Sequence, residues 1–175
     1  MTEANTAQIP TKDDYDRHWS LLWNTQLGVR YHMHMQSFYA RLGKFVTAFS
    51  LVMSSAAFAT IYQSDIEIAK WLACAVALAQ TLELVIDSKA KTTLHASLRQ
   101  KYLQLELELS GRDFIYSYEE KSLKAKRIAI EVEEPPLIQA LGDRCHNELS
   151  KVYDLGEENK VKMEWYQSLK ANFYS

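Results

Sequence analysis

Eighteen consecutive residues without a charge, FVTAFSLVMSSAAFATIY at 45–62, constrain this chain more than any other stretch. That length lies at the lower end of what crosses a bilayer and exceeds what most buried core helices need. A second apolar stretch begins near Ile66 and runs to about Ile86, with Lys70 near one end and Gln80 and Glu83 toward the other. The pattern predicts spans at about 45–62 and 68–86, joined by the polar link QSDIE. Five glycines and three prolines in 175 residues favour long helices over short strands joined by turns. The expected class is all-α: a two-helix transmembrane hairpin, an N-terminal cytoplasmic helix and a C-terminal cytoplasmic helical domain.

The flanks of the two stretches favour the bilayer over a protein core. Arg30, Arg41 and Lys44 precede the first, and Lys89, Lys91, Arg99 and Lys101 follow the second. The link carries Asp65 and Glu67 and no basic residue before Lys70, whose ammonium can extend to the interface. Basic flanks mark the cytoplasmic side, so both termini are expected inside and the link outside. Tyr62 and Trp71 stand where an outer aromatic belt belongs. Small residues supply the packing faces, Ser50 and Ser54 on the first helix and Ala69, Ala73, Ala77 and Thr81 at i, i+4 spacing on the second. In lipid, close backbone approach over such faces holds helices together. Alanine-rich faces also occur in tight soluble hairpins, so a soluble helical bundle is the competing reading.

Around the hairpin (43–88) the chain divides into a polar tail (1–12), an amphipathic helix (13–42) and a helical oligomerisation or sensing domain (89–175). In the first helix Tyr15, Trp19, Leu22 and Trp23 share one stripe, Asp13 or Asp14 is placed to cap, and Gly28 is a candidate kink. Past Asp87 the second span is expected to run on as one long helix, with Leu94, Leu98, Tyr102, Leu105 and Leu109 at helical spacing and a stop at Gly111. That apolar stripe is expected between subunits. Pro135 and Pro136 redirect the chain before the last helical stretches. Cys74 lies inside the apolar run, so pairing with Cys145 in a disulfide framework is not expected.

Nothing in the remaining motifs supports catalysis. No nucleophile elbow, zinc-protease, phosphate-loop or dinucleotide pattern occurs. His32 and His34 are two apart and point to different sides of a helix, unlike an i, i+4 metal pair. His18, His95 and His146 have no cysteine or carboxylate at ligand spacing in the sequence, and no metal or cofactor is expected. Basic and acidic residues nearly balance, 20 against 22, which gives no ground for nucleic-acid binding. Arg112, Lys124, Lys126 and Arg127 are more simply solvated than gathered round a nucleotide. Gln80, Glu83 and Asp87 form one polar line at i, i+3, i+7 on the second helix. Two readings of it stand side by side: pore-lining groups in the bundle interior, or headgroup-level carboxylates paired with Lys89 or Lys91.

The organisation resembles the SLATT family, two-transmembrane effectors associated with nucleotide-second-messenger and other bacterial defence systems. The residues carrying the resemblance are VRYHMHMQSFYARLGKFVTAFSLVMSSAAFATIY and LELVIDSKAKTTLHASLRQKYLQLELELSGRD, which with the second span cover roughly 29–113. The resemblance implies a non-enzymatic membrane effector of anti-phage immunity, triggered by a sensor protein or nucleotide second messenger. It would assemble as a homo-oligomer and breach the inner membrane before the phage matures. The family supplies no catalytic residues. The alternatives are a membrane-anchored scaffold or exclusion protein that conducts nothing, and a soluble oligomerisation module.

Overall fold

A computed structural model of the chain describes residues 9–62 and 66–174. Most of the polar tail and the first three residues of the link lie outside the described residues, as does the Tyr62 side chain. The fold is all-α, with no strand among the described residues. Its elements are α1 (Lys12–Tyr62), α2 (Ile66–Ile86), α3 (Ser88–Ser110), α4 (Ser117–Glu131), α5 (Gln139–Val152), a single 3-10 turn (Glu157–Asn159) and α6 (Trp165–Tyr174). They form two compact units. The first contains residues 9–32 and 97–172, and the second contains 33–96 with Phe173 and Tyr174.

In the first unit, α1 begins with Asp13 and Asp14 in its first turn, where the amide dipoles favour carboxylates. Asp14 accepts hydrogen bonds from the backbone N–H and the hydroxyl of Thr11, both at 2.7 Å, and pairs with Arg17. The Thr11 amide and then its hydroxyl hold the Asp14 carboxyl below the usual carboxylate range; burial opposes them, and Arg17 adds a lesser lowering.

Leu21 packs with Leu98, Tyr102, Leu105, Leu109, Ile115, Leu123 and Ile130 in the core, and Leu22 and Val29 lie partly buried against them. The stripe expected between subunits is thus largely core within one chain. Leu98, Tyr102, Leu105 and Leu109 are buried, and only Leu94 keeps an exposed side. The α1 stripe is also offset from expectation. Leu21, Thr25 and His32 are its buried line, whereas Tyr15 and Trp19 stay exposed. Trp19 and Trp23 instead meet the Tyr153 ring at 4.8 and 6.1 Å.

Helix α1 runs unbroken through Gly28, so that residue makes no break. What it provides is space: a Cβ there would lie 2.6 Å from Cζ of Tyr102. The phenol ring lies against bare backbone.

Leu141, Cys145 and Leu149, at i, i+4, i+8, are the buried edge of α5. Burial, reinforced by Glu148, pushes the Cys145 thiol up to about 12. Thiolate is the reactive form, so at pH 8 this cysteine is protonated as well as covered. We expect maleimide to label Cys145 in the folded protein at least about tenfold more slowly than in denaturant. A Cys74→Ser background read by mass spectrometry checks this, and equal rates would contradict it.

Four basic residues on and beside α4 are matched by carboxylates. Arg112 lies 2.8 Å from Glu119, Lys124 2.6 Å from Glu120, Lys126 2.7 Å from Glu108 and Arg127 3.2 Å from Glu131. Partly exposed pairs of this kind contribute about 0–1 kcal/mol each. They leave these four cations engaged rather than converging on a common ligand.

The second unit contains the later part of α1, all of α2 and the opening turns of α3. Tyr39 stacks on His95 with centroids 5.7 Å apart, and the Lys91 ammonium lies 5.1 Å from the centre of the Tyr39 ring. Phe38 meets Phe173 and Tyr174 at 5.2 and 4.8 Å. The second apolar helix runs on toward Ser110 with a one-residue interruption: Asp87, between α2 and α3, has a left-handed φ of 49°, while its N–H still bonds the Glu83 carbonyl at 2.8 Å and its carbonyl accepts from the Lys91 N–H at 3.0 Å. Aspartate tolerates that region better than most residues. Helix α3 then ends at Ser110, one residue before Gly111.

Candidate functional site

The hairpin in the second unit is one candidate site, and its packing begins from residue size. Ser50 and Ala57 are buried on α1, as is Ala69 on α2. Along α2, Leu72, Ala75, Val76, Ala79, Glu83 and Ile86 are half-buried at helical spacing. Gly43 belongs to the same close approach, since a Cβ there would lie 3.4 Å from Cβ of Ser88. Ser50 and Ala69, two of the small residues expected to pack, are therefore buried. Ser54, Ala73, Ala77 and Thr81 are exposed and leave a small-residue face outward.

The polar line has its bonds inside this unit. The Gln80 amide donates to Oγ of Ser50 at 2.6 Å, linking α2 to α1. Oε2 of Glu83 accepts from the Ser88 hydroxyl at 2.8 Å, and Oε1 accepts from the Ser88 backbone N–H at 3.3 Å. Oδ1 of Asp87 accepts from the Ala90 N–H at 3.1 Å. Helix starts leave such N–H groups without partners in the helix itself, and here two carboxylates supply them. Glu83 thus has Ser88 as its partner, while Lys91 lies over Tyr39. Lys89 lines the same groove as Glu83, a space of about 560 Å³ that also includes Gly43, Lys44 and Thr47.

A second constellation, in the first unit, had no signal in the sequence. His32 is fully buried, with Nε2 3.1 Å from Oε1 of Glu134, and its ring stacks on that of Tyr102 with centroids 5.6 Å apart. The Tyr102 hydroxyl donates to the same Glu134 oxygen at 2.5 Å. Burial, and then the Glu134 carboxylate, raise the Tyr102 phenol well above its ordinary range. The group is a hydrogen-bonded acid, imidazole and phenol, without the nucleophile and base geometry of covalent catalysis. Among the described residues no group of His, Cys, Asp or Glu is arranged to hold a metal ion.

Two helices are long and apolar enough to cross a membrane, the first within Lys12–Ile61 and the second within Ile66–Ser110. No family model matches the chain, nor does any curated protein or solved structure.

Proposed function

We propose that the chain is a bacterial inner-membrane effector of anti-phage defence, with both termini cytoplasmic, which oligomerises when triggered and permeabilises the membrane. The observation carrying the membrane reading is that the apolar windows of the two candidate spans are 0% and 6% buried. Phe45, Leu51, Phe58, Trp71, Leu78 and Leu82 all turn outward. A soluble core helix places such side chains inside, and contiguous apolar surface of this kind marks a protein or membrane contact. The outward face of Ser54, Ala73, Ala77 and Thr81 supports close approach between hairpins in an oligomer. The defence role itself rests on the resemblance to the SLATT family.

One observation favours a second reading, a membrane-anchored scaffold that conducts nothing. Gln80 and Glu83 already have partners within the chain, whereas pore-lining groups face water. Glu83→Gln separates the two readings, because it keeps an acceptor for Ser88 and removes the charge. In a cation-preferring path an acidic ring supplies the selectivity, so the effector reading expects depolarisation on induction to fall several-fold. The test is dye-reported membrane potential at matched expression. Unchanged depolarisation would remove Glu83 from any pore, and no depolarisation from the native chain would favour the scaffold.

A further inference from the structure

The first unit contains a cavity of about 340 Å³ whose walls include Tyr31, His32, Tyr102, Glu131, Glu134 and Asp143. Among the described residues no lysine or arginine lines it. Its volume is at the lower end of the range that holds small molecules. Aromatic rings provide one wall, with His32 stacked on Tyr102 and Tyr31 edge-on to His32 at 5.4 Å. The Tyr31 hydroxyl accepts a hydrogen bond from the Ile138 N–H at 2.9 Å, which fixes the direction of that ring.

Carboxylates supply the charge, and they differ in how well they are balanced. Glu131 has Arg127 at 3.2 Å. Asp143 accepts from the neutral amide of Gln139, at 2.8 Å. Glu134 has a side chain just 10% exposed and, among the described residues, pairs with His32 and with no lysine or arginine. Both of its bonds, from Tyr102 and with His32, fall on Oε1, which leaves Oε2 for a further donor. A buried carboxylate without a full countercharge is costly, and a ligand cation placed there would offset that cost. The aromatic faces beside it would attract the same cation.

We propose that this cavity binds a small organic cation, a primary ammonium attached to an aromatic or similarly flat body, with the ammonium donating to Glu134. Phosphate-bearing ligands need Arg, Lys or a cluster of free amides, so a nucleotide trigger would have to bind elsewhere. The inference goes beyond the membrane reading and does not depend on whether the hairpin conducts.

Three probes with the same phenol ring and different charges test it by calorimetry on the full chain in detergent. They are tyramine (cationic), tyrosol (neutral) and 4-hydroxyphenylacetate (anionic). Tyramine should bind saturably with Kd below about 1 mM, and the other two at least about tenfold more weakly. Glu134→Gln should weaken tyramine binding by about tenfold or more. If that variant does not fold, Asp143→Asn, on the partly exposed side of the cavity, should weaken it several-fold. Equal binding of all three probes, preference for the anion, or no saturable tyramine binding to the native chain would overturn the proposal. None of these outcomes depends on membrane permeability, so failure here is distinct from failure of the effector reading.

Discussion

Arginine at both Leu78 and Leu82 is expected to remove the protein from the detergent-extractable membrane fraction. The two side chains are 62% and 63% exposed and neighbour each other one turn apart on α2. On insertion scales, each arginine near the centre of a span costs about 2.5–3.5 kcal/mol, so the pair costs about 5–7 kcal/mol. Few packing contacts within the chain are lost, because neither leucine is buried. In a water-exposed helix the same changes would each shift stability by no more than about 0.5 kcal/mol. The two environments therefore predict opposite results from one fractionation. After carbonate treatment the native protein should be released only by detergent, and the double variant should be absent from that pool. Equal behaviour of both proteins, soluble without detergent, would make the hairpin a water-facing surface and end the membrane reading.

Leu98→Ala is expected to destabilise the first unit by about 2–5 kcal/mol, the range for truncating a fully buried leucine. Leu98 is 0% exposed within a single chain. Were it instead an inter-subunit contact, truncation would weaken association and leave the protomer's own stability unchanged. Denaturant unfolding at several protein concentrations distinguishes these outcomes. A core role predicts a lower midpoint independent of concentration, and an interface role predicts a midpoint that moves with concentration. Leu94→Ala is the internal control. With Leu94 37% exposed, it should cost clearly less than Leu98→Ala.

These two leucines show how far a helical period can be read. Leu94, Leu98, Tyr102, Leu105 and Leu109 visibly share a face, and α3 does present most of them to a core. Periodicity specifies that a face will be covered, but it does not say by what. Here the cover includes Leu21, Leu123 and Ile130 of the same chain. The charge-free windows were legible for a stronger reason, since length and lack of charge act without any tertiary partner. At Asp87 the local pattern is helical on both sides, and only the backbone reveals the left-handed residue between them. Gly28 reads as a candidate kink in sequence because its significance is the ring of Tyr102, which comes from α3. The His32 and Glu134 contact joins positions 102 residues apart and leaves no trace in any local window.

The discontinuity of the first unit imposes an order on synthesis. His18 bonds the Leu109 carbonyl across 91 positions, and Arg17 bonds the Ile115 carbonyl across 98. Leu21 likewise has no core partners until Leu98 and the residues after it have been made. At about 5–20 residues per second, the apolar stretches of α1 and α2 are synthesised seconds before Ile130, the last residue of that core, is added. Closing so long a loop is also intrinsically slow. Both apolar stretches are therefore complete while Leu21 and Trp23 still lack the later residues they pack against, and the first unit can close only after residues 33–96 of the second have been made.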